Sequence, residues 1–427
     1  MSLRALSLAG RGLDTLPPAL FEHADTLEQL DLSGNRLTTL PDTLARLTRL
    51  RVLFASNNPI ERLPAVLGAC PALEQIGLRG CGLREVPAEA LPARLRWLTL
   101  TDNRIETLPD ALGQRPRLEK LMLAGNRLTR LPDTLAGAPA LALIRLAANR
   151  LDALPGWLDT LPRLAWLAWA GNPCEARADP APVTDAAAIP WSALTLGERL
   201  GEGASGHIHR AHWQPDDGGP AQEVAVKRFK GAMTSDGLPA HEMAACLAAG
   251  AHPHLTGALG HVTGVPDGGA ALVMPLLPSH WRALAAPPSL ASCSRDVYPD
   301  GWRVTPPVLR RLALAAGTAA AHLHARGLLH GDLYAHNLLW DGTDGQAVLS
   351  DFGAASCLPR HDAALAATLR CTEVRAWGLL LGELLAHADG PVPEDWRALQ
   401  VACTGAVPSE RPTLAEAVSR LQASGCT

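Results

Sequence analysis

The chain has 427 residues, which at roughly 150 residues per domain sets a prior of two or three folded units. Hydrophobic residues make up 47% and charged residues 19%, a balance that excludes a largely disordered chain. The formal charge of −4 supplies no whole-molecule drive toward nucleic acid or an anionic membrane.

Nine cysteines are scattered without a C-x-x-C pair. That usage fits reduced thiols in a cytoplasm and argues against a disulfide framework or a zinc site. No uncharged apolar run approaches about 18 residues, so no membrane span is expected, and the first residues lack the apolar core of a signal peptide.

An internal period governs the first half. Leucines 27, 50, 73, 95, 118, 141 and 164 open similar units at steps of 22 or 23 residues, and Leu3 opens an earlier one. Each unit follows L-x-x-L-x-L-x-x-N-x-L with a later L-P-x-x-L, as in Leu27 to Leu44 and Leu118 to Leu135. Eight units in register over residues 1–174 are identified as leucine-rich repeats. The alternating x-L-x-L-x stretch suits a short strand, and one unit buries its leucines only against stacked neighbours, so a curved solenoid follows. Asn35, Asn58, Asn103, Asn126, Asn149 and Asn172 form a column whose amides can satisfy turn backbone, while Arg11 and Cys81 interrupt it. Alternation turns Asp31, Phe54, Trp97, Lys120, Met122, Arg145 and Trp166 outward on the concave face. Of these, Phe54, Trp97, Met122, Arg145 and Trp166 are the candidate surface for a protein partner. Trp166 and Trp169 have a second reading, as caps of the last repeat or packing against the next domain.

The period stops at Asn172, and the Pro- and Ala-rich residues 175–190 read as a linker of limited flexibility. Fourteen of the 15 histidines lie beyond it, and only His330 falls in a motif.

From Trp191 strands precede helices. Residues 194–230 predict a β-hairpin and a third strand. The hairpin turn, Leu200-Gly201-Glu202-Gly203-Ala204-Ser205-Gly206, and the following Ile208 can cradle phosphates and close over a base. Val224-Ala225-Val226-Lys227 follows as an apolar strand ending in a lysine. A lysine buried beside phosphates needs a carboxylate, and Glu242, in a helical run 15 residues on, suits an ion pair with it. An apolar helix over 308–325 leads to His330-Gly331-Asp332, with Asn337 five residues after Asp332. Asp351-Phe352-Gly353 then adds another carboxylate. Two carboxylates and an amide near phosphates offer Mg²⁺ its oxygen ligands.

This ordered set resembles the eukaryotic-type protein kinases from about Leu194 to Leu421. With the repeats, the chain resembles the leucine-rich repeat protein kinases of bacteria and plants. The fold expected is thus multidomain: an α/β repeat solenoid (1–174), a linker (175–190) and an α+β bilobal kinase-like domain with a shortened C-lobe (191–427). The resemblance implies ATP and Mg²⁺ as cofactors and transfer to a Ser or Thr hydroxyl of a protein. It assigns Lys227, held by Glu242, to the α- and β-phosphates, Asp332 to the substrate proton, and Asn337 and Asp351 to the metal. Ala225 and Leu339 would sandwich adenine, with Met274 as gatekeeper, and His330 and Phe352 would pack in the core.

Several positions depart from the family. Gly331 replaces an arginine, which argues against control by a phosphate paired to it. Tyr334 replaces a lysine near the γ-phosphate. No A-P-E follows Asp-Phe-Gly, and Glu373 is expected to open the next long helix, leaving a short activation segment and a reduced peptide platform. Arg411 matches a late family arginine whose glutamate partner is missing, or serves as a helix-entry residue. Ser356, Thr368 and Thr372 are candidate self-modification sites, with Tyr298 and Tyr334 the available tyrosines. Residues 286–303 form an unusual loop read as substrate gating or an interlobe contact. Two alternatives stay open: a pseudokinase scaffold acting through its repeats, and a small-molecule phosphotransferase, since H-G-D with a following Asn also resembles aminoglycoside and choline phosphotransferases.

Overall fold

The computed structural model describes residues 3–176, 187–203, 205–215, 218–231, 233–234 and 236–424. Two compact units emerge: residues 1–164 with 172–174, and residues 165–171 with 175–427.

In the first unit each repeat contributes a three-residue strand: β1 (Ala5–Ser7), β2 (Gln29–Asp31), β3 (Val52–Phe54), β4 (Gln75–Gly77), β5 (Trp97–Thr99), β6 (Lys120–Met122) and β7 (Leu143–Arg145). They pair in parallel without a register shift, so Leu30, Leu53, Ile76, Leu98, Leu121 and Ile144 form one inward column, each at most 1% exposed. The strand of the eighth repeat, β8 (Trp166–Ala168), falls within the stretch that belongs to the second unit. After each L-P comes a short 3-10 helix such as Asp42–Arg46 or Ala65–Ala69, whose leucine closes the other side of the core. Burying a leucine contributes about 2 kcal/mol, and the period repeats that gain at every step.

The asparagine column is a ladder. Asn103 Oδ1 accepts from Cys81 N and Leu83 N at 3.0 Å each, and its Nδ2 donates to Leu78 O at 2.8 Å and Leu100 O at 3.0 Å. Cys81 interrupts the column yet fills part of the role, since its thiol reaches Ala55 O at 3.3 Å, the carbonyl a ladder amide would take. A single helical turn, α1 (Pro173–Ala176), ends the repeats.

The second unit opens with a six-stranded sheet in the order β10-β11-β12-β14-β13-β9. Its strands are β9 (Ala187–Pro190), β10 (Leu194–Glu202), β11 (Gly206–Trp213), β12 (Gln222–Phe229), β13 (Gly260–Thr263) and β14 (Ala271–Pro275). β9 lies inside the stretch expected to be linker and pairs in parallel with β13, while residues 177–186 fall outside the described residues. Ile189, Leu194, Ala211, Val224, Val226, Val262 and Val273 pack one face of the sheet. Helix α2 (Pro239–Ala249) accompanies it.

The helical part holds α3 (Pro306–Ala325), α4 (Ala363–Ala386), α5 (Glu394–Thr404) and α6 (Leu414–Ala423). Two small sheets hold its loops: β15 (Arg282–Ala283) with β17 (Leu338–Trp340) and β18 (Ala347–Leu349), and β16 (Leu328–Leu329) with β19 (Ser356–Cys357). Trp377 of α4 is fully buried and donates to Ala313 O on α3 at 2.9 Å.

One expectation needs correction here. Glu373 does not open the long helix: α4 starts ten residues earlier, where Asp362 caps it by accepting from Leu365 N at 2.9 Å. An alanine-rich run carries no apolar period to mark that start. Residues 286–303 fold onto the helical part. Ala286 and Val297 pair across the loop, Arg295 forms an ion pair with Glu383 on α4, and Tyr298 Oη donates to the same carboxylate at 3.2 Å.

Candidate active site

The site is assembled from the sheet, α2 and the loops around β17 and β18. Register places the first parts: Ile208 on β11 sits opposite Lys227 on β12, and Ala225 sits opposite Met274 on β14. The glycine-rich turn joins β10 to β11. Gly206 must be glycine, because a Cβ there would lie 2.4 Å from Arg228 O on β12. Gly201 and Gly203 face open space, which leaves room for a ligand to approach the backbone. Glu202 is held by Arg199 and Lys230, and Lys230 also reaches Gly203 O at 3.2 Å. Leu200 is exposed and Ser205 buried, while Ala204 lies outside the described residues.

Lys227 and Glu242 form the expected ion pair, both largely buried. Burial pushes the Glu242 carboxyl up, Lys227 pulls it down, and the nearby Asp351 charge raises it again, with a net upward shift. The pair therefore brings two chain-distant elements together and lies within electrostatic reach of Asp351.

The loop from His330 to Asn337 is bonded throughout. Asn337 Nδ2 donates to Asp332 O at 2.9 Å and to Asp332 Oδ2 at 2.7 Å. Ser350 N donates to Asn337 O at 2.8 Å, which couples this loop to the one carrying Asp351. His330 is fully buried, with Nε2 3.1 Å from Ser350 O and its ring 5.6 Å from that of Phe352. Asp351 has φ +63°, a conformation sparsely used by non-glycine residues and common at functional sites. Leu339, on β17, is half-buried beside these loops.

Three groups that support the loop carry no motif of their own. Glu373 on α4, 1% exposed, accepts from Gly331 N at 2.8 Å and pairs with His324 Nε2 at 2.8 Å. Asp296, from the 286–303 loop, accepts from His336 N at 3.0 Å and contacts His336 Nδ1 at 2.7 Å. The other ring nitrogen of His336 stands 3.9 Å from Asp332 Oδ2. Burial alone would depress His336, but the Asp296 bond and the charges of Asp332 and Asp296 raise it above the ordinary histidine value. Trp166 is the third, stacked on Tyr334 with ring centroids 4.2 Å apart. Each sits 30 or more residues from the loop it touches, so sequence spacing names no partner for it, although packing against the next domain is one of the two readings of Trp166.

Trp166 and Arg145 are each 1% exposed, so neither offers the open surface that strand alternation predicts. Alternation fixes a side chain's face, not whether that face is covered. Phe54, Trp97 and Met122 remain half-buried, with Lys120 Nζ 4.4 Å above the Trp97 ring. Among the candidate modification sites, Ser356 and Thr372 are buried and hydrogen-bonded, to Ala354 O and Leu369 O respectively, and Thr368 is half-buried. Tyr334 is 4% exposed. Arg411 donates to Gly405 O and Cys371 O at 3.0 and 2.9 Å.

The donor chemistry fits a magnesium nucleotide. An exposed carboxylate (Asp351) and an amide (Asn337) would offer oxygen ligands, and no three His, Cys, Asp or Glu side chains gather into a ready cation site among the described residues. Mg²⁺ characteristically takes one or two protein ligands and completes its shell with phosphate oxygens and water.

Residues 194–377 match the family described as protein tyrosine and serine/threonine kinase, and residues 1–60 and 93–151 match leucine rich repeat. Human PH domain leucine-rich repeat-containing protein phosphatase 1 is 33% identical over 99 residues, 23% of this chain and 6% of that protein. Human leucine-rich repeat-containing protein 58 is 38% identical over 99 residues, 22% of this chain and 27% of that protein. Leucine-rich repeat serine/threonine-protein kinase 1 of Caenorhabditis elegans is 34% identical over 90 residues, 21% of this chain and 3% of that protein. The chain thus matches only a small part of each relative's length. No described helix is long and apolar enough to cross a membrane.

Proposed function

We propose that this chain, which carries leucine-rich repeats and a protein kinase domain, transfers the γ-phosphate of ATP to a Ser or Thr hydroxyl of a protein in the cytoplasm. The observation that carries the reading is the pair of intact constellations: Lys227 joined to Glu242, and Asp332 bonded to Asn337.

In this reading the acceptor hydroxyl oxygen attacks the γ-phosphorus as the bond from phosphorus to the β,γ-bridging oxygen breaks. Asp332 takes the hydroxyl proton and ADP leaves. Lys227, held by Glu242, orients the α- and β-phosphates, and the turn from Leu200 to Gly206 covers them. Ile208, Ala225, Met274 and Leu339 border the base. Asn337 and Asp351 would hold Mg²⁺, which supplies charge neutralisation on the transferring phosphoryl group. The protein contributes positioning and fixed charge, from which catalysis of phosphoryl transfer almost entirely derives. The repeats recruit a substrate or regulator, with Phe54, Trp97 and Met122 as the surface for it.

A pseudokinase scaffold acting through its repeats is the second reading, favoured by a tyrosine, Tyr334, standing where the family has a lysine. Thermal unfolding with and without Mg²⁺-ATP tests nucleotide binding, because a ligand bound only by the folded state raises its midpoint. A midpoint that rises in wild type and not in Lys227→Met is expected. A flat wild-type response contradicts the kinase reading and favours the scaffold.

A further inference from the structure

The segment Ala165–Gly171 belongs to the same compact unit as the candidate active site. Its contacts converge there. Trp166 Nε1 donates to Leu333 O, the carbonyl directly after Asp332, at 3.0 Å. The Trp166 and Tyr334 rings stack at 4.2 Å, 6° from parallel. Trp169 N donates to Ser356 Oγ at 3.0 Å, and the Glu175 carboxylate accepts from Gly171 N at 2.6 Å and from Cys357 N at 2.7 Å. A Cβ on Gly331 would lie 2.7 Å from Leu167 O and 2.5 Å from Ala354 O.

Three of the departures from the kinase pattern therefore share one location. Gly331 is where the backbone of Leu167 comes too close for a side chain, Tyr334 is the stacking partner of Trp166, and the segment after Asp351 is gripped by Trp169 and Glu175. A loop bonded at consecutive positions by fully buried groups loses freedom that a catalytic carboxylate cannot tolerate, since misplacement by about 1 Å can cost a hundredfold in rate.

We propose that Trp166 is a positioning residue for phosphoryl transfer, acting through Leu333 and Tyr334 to seat Asp332. The brace fixes the loop in a chain that has glycine at 331. This inference rests on the kinase reading for its catalytic consequence, but not for its structural one.

Two measurements separate them. The first is steady-state phosphate transfer from Mg²⁺-ATP to a generic basic protein by wild type, Trp166→Ala, Trp166→Phe, Tyr334→Ala and the double alanine variant. Trp166→Ala should lower kcat between about tenfold and a hundredfold with the ATP KM within about twofold. Trp166→Phe, which keeps a ring for the stack, should recover part of the loss. Tyr334→Ala removes the same stack from the other side, so the double variant should lose no more than the worse single one. The second is amide hydrogen exchange over residues 330–336, which needs no catalysis. Exchange should quicken in Trp166→Ala and in Tyr334→Ala.

Unchanged exchange in both single variants overturns the brace. A raised kcat in Trp166→Ala also overturns it, by making the contact a brake. An inactive wild type with quickened exchange in the variants keeps the brace and sinks the enzymatic reading.

Discussion

Lys227 on β12 and Glu242 on α2 form an ion pair across 15 residues of chain, with side chains 13% and 6% exposed. Such a pair is costly to half-remove, because the surviving partner stays buried and uncompensated. Lys227→Met should destabilise the unit by about 3 kcal/mol, lowering the melting midpoint by roughly 5 °C or more. Glu242→Gln added to it should restore most of that loss without restoring nucleotide binding. A single variant melting with wild type would show that the pair is loose in solution.

Reinstating the family's arginine should harm this protein. Gly331 has φ +75°, and a Cβ there would press on the carbonyls of Ala354 and Leu167 at 2.5 and 2.7 Å. Gly331→Ala should cost about 2 kcal/mol in denaturant midpoint analysis, from backbone strain and the clash together, and Gly331→Arg more. A neutral Gly331→Ala would mean the loop and segment 165–171 separate easily.

The asparagine ladder gives a graded test in the repeats. Asn103→Ala strands two N–H groups and several carbonyls in the core, at about 1–3 kcal/mol for each unsatisfied group. Cys81→Ala removes one weak thiol donor and should cost under about 1.5 kcal/mol. Equal losses by urea unfolding would contradict the ladder as the source of stability.

Glu383 supplies a pH dependence. Burial pushes its carboxyl up to about 7 in spite of Arg295. A folded value above the unfolded one means the folded state holds the proton more tightly. The group's contribution is therefore complete at low pH and is lost as pH rises from about 4.5 toward 7. Over that window wild type should lose stability relative to Glu383→Gln by up to about 1.4 kcal/mol per pH unit. Parallel stability curves for the two would contradict it.

What the sequence made legible was local. The period near 23 residues dictated strands, inward leucines and the asparagine column, because each depends on neighbours at fixed spacing. The ordered motifs located Lys227, Glu242, Asp332, Asn337 and Asp351, since each sits on or beside an element its own spacing predicts. The supports of the 330–337 loop were mostly not legible. Trp166 lies 168 residues before Tyr334, Asp296 lies 40 before His336 and Glu373 lies 42 after Gly331. Asp296 and Glu373 have no local pattern; alternation gave Trp166 a face, and its second reading, packing against the next domain, is the one that its stack on Tyr334 matches. The early start of α4 was hidden because Ala363 to Thr368 is helix-favouring without an apolar period.

Phosphoryl transfer by the Asp332 loop stands or falls on one assay. Incubation with Mg²⁺ and γ-labelled ATP, on the chain itself and on a generic protein substrate, measures it directly when wild type is compared with Asp332→Asn. Label should pass to Ser or Thr in wild type only when Mg²⁺ is present, and Asp332→Asn should fall to background while keeping its Mg²⁺-ATP thermal shift. Equal labelling by both proteins, or none by a wild type that binds nucleotide, would contradict the account.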